Sequence, residues 1–520
     1  MAIKTSALSS ATNIATTDLI QVVDVNDPTM APTGTNKKAT AQVVGNNLPV
    51  VATGSTTSRS LKDRFADTVN VKDFGAVGDG VTDDTAAFQA AVAAGRCIVI
   101  PPKGTYLVKN ITLSNSQLIS GSGAIIKAAS GAEYIFKLTN YSSGISDIYI
   151  AEANCSKAAI IIASSRFVLI NNVRILNTLN AGSVILLDPT EGGDENNVSR
   201  PQISNVILDG FPAVGLNIKA NCSELNAINL YIDCGTLPPY TAPRDNAIGV
   251  NQDSTGLTLA SGGHCYVNTT TINSEYGWVF TNAQLTKLSN CIADGHSRDG
   301  IKLAGESYYI DFSGMFVGSC GRAINASDTC TSISFAGLRT SLIGVIPPWG
   351  SPSFYKYSAP FYEAVTQNTS KIGIDADSWF GAKRISEATG SNLIVTGGQI
   401  HNFCTTSEVP SNTVVYFSNG GNQASESNAE IIAPYDCYLV EILGASYYAP
   451  GNSQSYTYTV RINGVDQALS CQTTGTSSYL SKLVSSVYCA KNSRISIKLT
   501  SSTTAQQSGH RGYMKLAPAE

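Results

Sequence analysis

Between residues 110 and 345 one six-residue pattern returns: apolar, small polar, small, apolar, any residue, then apolar or small. It begins at Ile145, Ile170, Ile203 and Leu225, and in looser form at Val267, Leu288, Phe312 and Phe335. The steps between starts are 25, 33, 22, 42, 21, 24 and 23 residues. A period near 23 with short strands and Asn, Gly and Ser turns suits one coil of a parallel β-helix. In such a coil a rung buries its apolar residues only by stacking on the next. Leucine-rich repeats have a similar period, but their Leu-x-x-Leu-x-Leu signature is missing.

The composition fits that coil. Only 14% of residues are charged, against about 25% in typical chains, and the 45 Gly serve many turns. With 34 basic and 38 acidic residues the net charge is −4, which disfavours a nucleic-acid partner held by phosphate neutralisation. No apolar run of about 18 residues predicts membrane insertion, and residues 1–17 lack the apolar core of a signal peptide. The 12 Cys are scattered without a Cys-x-x-Cys pair, so they are expected to be small buried hydrophobes rather than zinc ligands. No metal or cofactor is expected.

Five segments follow. Residues 1–57 read as an extended arm, with one possible strand near Leu19, and residues 58–109 as a linker leading into a helix-capped start. Residues 110–345 are the coil, 346–400 an aromatic-rich connection, and 401–520 an antiparallel β-sandwich. In that last unit alternating Tyr456, Tyr458, Val460 and Ile462 lead into an Asn463-Gly464 hairpin turn. The two long steps hold insertions at 188–197 and 234–245. Solenoid insertions often gather on one binding face, so these are expected to wall a groove.

The run from Val69 to Thr85 reads VNVKDFGAVGDGVTDDT, and a helical stretch and CIVIPPKGTY follow it. The spacing predicts a helix over 86–94, N-capped by Thr82 or Asp83 and stopped by Gly95. This run resembles the start of the pectate-lyase-like β-helix superfamily, and most closely bacteriophage tailspikes. The resemblance implies an all-β, right-handed parallel β-helix with an N-terminal anchoring arm and a C-terminal β-sandwich. It also implies a homotrimer on the virion, joined through its N-terminus to the phage tail or baseplate and acting on bacterial surface polysaccharide. Asp79, Asp83 and Asp84 of the motif are structural in that family. The paired Asp and Gly-His-Gly of plant and fungal polygalacturonases are not evident.

Glycoside hydrolysis needs two carboxyl groups. Counted from the rung starts, Glu275, His296 and Asp233 share one slot, and Asp294 and Asp209 another. Glu275 and His296 should therefore be neighbours on successive rungs, with Asp294 about 8 Å away along the backbone. The expected catalytic set is Glu275 and Asp294 as acid and base, with His296 and Asp299. Arg298, Asp233 and Asp209 would bind substrate, and Trp349 and Tyr355 (with Tyr357) would stack on sugar rings. His264 and His401 are lone further candidates. A polysaccharide lyase, using a His or Tyr base and an Arg, and a non-catalytic adhesin remain open beside the hydrolase.

Overall fold

The computed structural model describes residues 35–176, most of 182–341 and most of 399–518, together with Leu19–Asp24 and short strands between 362 and 396. The chain is mostly β, with a parallel solenoid of about 10 turns and antiparallel sheets at its C-terminal end.

The solenoid starts under a short helix, Thr85–Ala94, whose buried Phe88 and Val92 close the first rung. Asp84 occupies the N-cap, one residue later than expected. Its carboxylate is turned away from the helix, because it accepts the N–H groups of Val77 at 2.6 Å and Gly78 at 3.1 Å. Asp83 instead accepts the Thr85 N–H at 3.0 Å. Gly95 ends the helix in an extended conformation rather than a left-handed one.

One sheet of the coil stacks Gly144–Ala151, Leu169–Leu176, Gln202–Asp209 and Asn226–Asp233, then the broken strands up to Arg339–Ser341. Its strands pair in parallel and in register. A second sheet stacks Ala158–Arg166, Ser183–Leu187, Val214–Ile218, Arg244–Asp253, Ser274–Thr281, Asp299–Ala304 and Arg322–Ala326. Between them runs a dry interior. In its central column Ile145, Ile170, Ile203, Ala227, Tyr266, Leu288, Phe312 and Phe335 pair in sequence. All are buried, and the Phe312 and Phe335 rings stack at 4.3 Å. Cys155, Cys222, Cys291, Cys320 and Cys330 are fully buried free thiols in this coil. Burial pushes Cys155 up to about 12 and Cys291 up to about 11.

That pairing corrects the rung frame. The true starts are Ala227 and Tyr266, not Leu225 and Val267, so the steps become 25, 33, 24, 39, 22, 24 and 23. Leu225 misleads because it is also apolar and buried, at the corner before the strand.

Each strand of the first sheet bends at a residue of positive φ: Asp147, Asn172, Asn205, Asn229, Asn268, Asn290, then Gly314 and Gly337. Asn tolerates this left-handed region better than other side chains. The amides also link rungs. Asn172 Nδ2 donates to Asp147 Oδ1 at 2.7 Å, Asn229 Nδ2 to Asn205 Oδ1 at 3.1 Å, and Asn268 Nδ2 to Asn229 Oδ1 at 3.2 Å. At 314 a Cβ would lie 2.8 Å from Asn290 Oδ1, so glycine there spares that amide a shift. Asn205→Ala should cost about 2 kcal/mol, from left-handed strain plus lost hydrogen bonds. Asn205→Gly should cost less, because it keeps the backbone. Melting temperatures of the two variants check this ordering.

The C-terminal strands Cys437–Ser446, Gly451–Ile462, Val465–Gly475, Leu480–Cys489 and Arg494–Ser501 pair antiparallel. Asn463 and Gly464, both at positive φ, make the expected hairpin turn.

Candidate active site

The corrected frame regroups the acids. Asp209, Asp233 and Asp294 each lie six residues after a rung start, at the C-terminal edge of the first sheet. Asp209 pairs with Asp233, Asp233 with Ile272, and Ile272 with Asp294. Asp209 and Asp233 thus stand on successive rungs, about 4.8 Å apart along the stack.

The two carboxylates converge on Gly235. Its N–H donates to Asp233 Oδ1 at 2.8 Å, and a Cβ on it would lie 3.5 Å from Asp209 Oδ1. Gly235 also has φ +64°, and a Cβ there would lie 2.8 Å from the Gly210 backbone, so both its conformation and that close turn favour glycine. Asn273 Nδ2 donates a second bond to Asp233 Oδ1 at 2.9 Å. Burial raises the Asp209 carboxyl above its ordinary range, and the charge of Asp233 pushes the same way, against Arg174. One acid is thus biased toward its protonated form beside a partner fixed by two donors. That is the arrangement by which two carboxyls take separate acid and nucleophile roles.

Two residues back along each strand lies an outward row, with Arg174, Ile207 and Tyr231 in register. Tyr231 is exposed, and Arg174 lies 6.0 Å from the Tyr149 ring. Burial, then the charges of Asp233 and Asp209, raise the Tyr231 hydroxyl. The row offers aromatic and apolar surface beside the acids. Further along, Asp294 Oδ1 is shielded from solvent with no hydrogen-bond partner among the described residues. Phe316 folds over Gly318 next to it; a Cβ on Gly318 would meet that ring at 2.5 Å and Asp294 Oδ1 at 2.9 Å.

The other expected site residues are placed differently. Glu275 and His296 are not neighbours in the stack: Ser274 faces His296, and the Arg298 N–H donates to the Glu275 carbonyl. Asn273, at φ +60°, turns the corner between Ile272, level with Asp294, and Glu275. The Glu275 carboxylate is 7% exposed. Its Oε2 accepts the Asn246 N–H at 2.7 Å, and its Oε1 lies 3.6 Å from Arg298 Nη1. Glu275 therefore anchors the return of the 234–245 insertion. Arg298 and Lys302 lie over the Tyr276 ring at 5.4 and 5.0 Å, and burial pushes the Tyr276 hydroxyl up to about 12.

His296 and Asp299 point into the coil and are fully buried, so neither reaches a polymer outside it. The His296 Nε2–H donates to the Thr271 carbonyl at 3.1 Å, and Nδ1 faces Ser274 Oγ at 2.8 Å. Asp299 takes Arg322 in a two-pronged pair at 2.7 and 3.0 Å, and Asn325 Nδ2 donates to it at 3.0 Å. Trp349 and Tyr355 lie outside the described residues.

The expected groove also changes. The 188–197 insertion leaves the second sheet after Leu187 and rejoins it at Val198. The 234–245 insertion instead links Asp233 of the first sheet to Arg244 of the second. Their described ends thus leave from different corners of the coil. The second insertion follows directly on Asp233, and its Gly235 touches the acid pair.

Burial pushes His296 down to about 3, so the folded chain holds it neutral while the unfolded chain protonates it near 6.5. The unfolded state then binds the extra proton, and stability falls as pH drops below about 6.5 toward 3. At pH 5 this one residue should cost roughly 2 kcal/mol. Buried His264 and His510, each pushed down to about 4, act in the same direction. Melting temperature measured from pH 7 to pH 4.5 should fall steadily, and His296→Gln should flatten the slope. An unchanged slope in that variant refutes the assignment.

Residues 68–344 match the family described as rhamnogalacturonase A/epimerase, pectate lyase-like. The pre-neck appendage protein of Bacillus phage B103 is 26% identical over 221 residues, 37% of this chain and 25% of that protein. A mannuronan C5-epimerase of Azotobacter vinelandii is 44% identical over 77 residues, 12% of this chain and 8% of the epimerase. The chain thus spans a quarter or less of these relatives. Among solved structures, the tailspike protein of E. coli bacteriophage HK620 in complex with pentasaccharide aligns with a TM-score of 0.45 at 10% identity, covering 89% of this chain and 98% of that one. Tailspike protein 2 of bacteriophage CBA120 aligns at 0.41 and 14%, covering 90% and 82%.

Proposed function

The chain belongs to the pectate-lyase-like rhamnogalacturonase A/epimerase family, and we propose that it cleaves a bacterial surface polysaccharide by glycoside hydrolysis. The observation that carries this reading is the convergence of Asp209 and Asp233 on Gly235. Retaining hydrolysis uses carboxyls about 5–5.5 Å apart, and the backbones of Asp209 and Asp233 lie about 4.8 Å apart on successive rungs. Protonated Asp209 gives its proton to the glycosidic oxygen as the bond to the anomeric carbon breaks. The Asp233 carboxylate attacks that carbon and forms a glycosyl ester. Asp209, now ionised, takes a proton from water, and the resulting hydroxide equivalent opens the ester with overall retention. Tyr231 and Ile207 offer the sugar an apolar face, and Arg174 sits beside Asp209 to meet polar substituents.

The same reading places the protein on a phage virion as a homotrimer, attached to the tail or baseplate through residues 1–57 and acting at the host surface. The similarity to phage pre-neck appendage proteins supports it. The test is digestion of purified host capsule or O-antigen, followed by polymer mass and by the anomer first released. A retained anomer supports the mechanism. New ultraviolet absorbance from an unsaturated uronate would move the chemistry to elimination. Binding with no loss of mass would make the protein an adhesin.

A further inference from the structure

At the opposite edge of the same sheet, on the three rungs that follow the one carrying Asp233, lies a cavity of about 490 Å³. His264, Cys265, Leu285, Lys287, Tyr309 and Asp311 line it with Gly263. Its origin is a second column of left-handed residues at the corner leading into the sheet: Arg200, Glu224, Gly263, Leu285 and Tyr309. Where Arg200 and Glu224 bond to each other, the column is filled. At Gly263 the side chain is missing, and the hollow opens between Glu224 and Leu285. Leu285 and Tyr309 hold positive φ although bulky side chains rarely do, which leaves them 51% and 57% exposed at its rim.

The polar groups are few and complementary. Cys265 pairs with Lys287 and Lys287 with Asp311, so cation and carboxylate sit on adjacent rungs. Lys287 forms no ion pair among the described residues, and Asp311 Oδ1 accepts the Ser334 hydroxyl at 2.6 Å. His264 is 1% exposed. Its Nδ1 accepts the Leu225 N–H at 3.2 Å, which leaves the proton on Nε2, and Nε2 has no hydrogen-bond partner among the described residues. Burial holds the ring neutral, pushed down to about 4. An apolar rim, one donor cation, one acceptor carboxylate and a buried unpartnered N–H form a site of ligand-binding size. Its charge sums to zero, so it favours hydroxyls, which both donate and accept, over a net charge.

We propose that this cavity is an auxiliary glycan-binding site that takes an uncharged sugar segment, with Lys287 donating to hydroxyls, Asp311 accepting from them, and Tyr309 and Leu285 against the apolar ring face. The inference rests on the polysaccharide reading above. An eight-residue strand such as Asn226–Asp233 spans roughly 23 Å, so the site holds the polymer well away from the acids and acts on affinity, not on bond cleavage.

The probe is an array of purified bacterial capsular and O-antigen polysaccharides, applied to the full chain. The strongest binder is then titrated calorimetrically at 50 and 500 mM NaCl. Lys287→Ala with Tyr309→Ala should weaken binding at least tenfold. Gly263→Asn removes no polar group, suits the left-handed backbone and fills the hollow, so it should act in the same direction. Affinity should change less than about threefold between the two salts. If both cavity variants melt normally and bind like the wild type, the inference is overturned while the polysaccharide reading stands. A tenfold loss in high salt overturns the uncharged class. If the wild type binds no polysaccharide, the reading beneath the inference fails, and the inference with it.

Discussion

Asp233→Asn is expected to lower the rate of polysaccharide cleavage on the order of 10³-fold or more, leaving binding intact. That loss corresponds to about 4 kcal/mol of transition-state stabilisation. The amide is nearly isosteric, and its oxygen still accepts from Gly235 and Asn273, so the fold should not suffer. What disappears is the charge that attacks the anomeric carbon. Asp209→Asn should cost on the order of 10²–10⁴-fold on polysaccharide, and much less on an aryl glycoside whose leaving group needs no proton. The pH profile should be bell-shaped. Activity should fall at high pH as Asp209, held above its ordinary range by burial and by Asp233, loses its proton. Undiminished cleavage by both variants refutes the pair. The same assay on Glu275→Gln separates the readings, because a residue that anchors Asn246 should give a partial loss and no change in leaving-group dependence.

The second large effect concerns stability. Asp299→Ala should destabilise the coil by about 3–5 kcal/mol, because it takes the paired carboxylate from the Arg322 guanidinium, which is only 2% exposed. A double variant, Asp299→Leu with Arg322→Met, should recover most of that loss, since a buried pair often contributes little over apolar residues of similar volume. Thermal melting of the three proteins tests this. If Asp299→Ala melts normally yet loses cleavage, Asp299 belongs to the chemistry after all.

These outcomes mark how far the residues alone reach. The coil was legible because its period, its Asn bends and the run from Val69 to Thr85 point to one answer. The frame was less legible, because a rung is recognised by apolar residues and the corner also needs one. Leu225 satisfies the pattern as well as Ala227 does, and that slip of two residues hid Asp233 from Asp209. A common count of six from true rung starts was the available signal. The inward turn of His296 and Asp299 had no such signal, since polar residues in a repeat usually face water. Here Thr271 and Ser274 supply partners for one, and Arg322 and Asn325 for the other. The convergence on Gly235 is a tertiary fact that no spacing within one rung encodes.

The buried thiols carry a last consequence. A cysteine reacts as its thiolate, and burial has raised Cys155 and Cys291 far above neutral pH while closing them to reagents. Oxidation needs both charge and access, so the intact coil withholds both at these two thiols from peroxide and from disulfide exchange, while Cys97 stays exposed. The redox durability of these interior thiols thus rests on the stacking of rungs rather than on any bond between sulfur atoms.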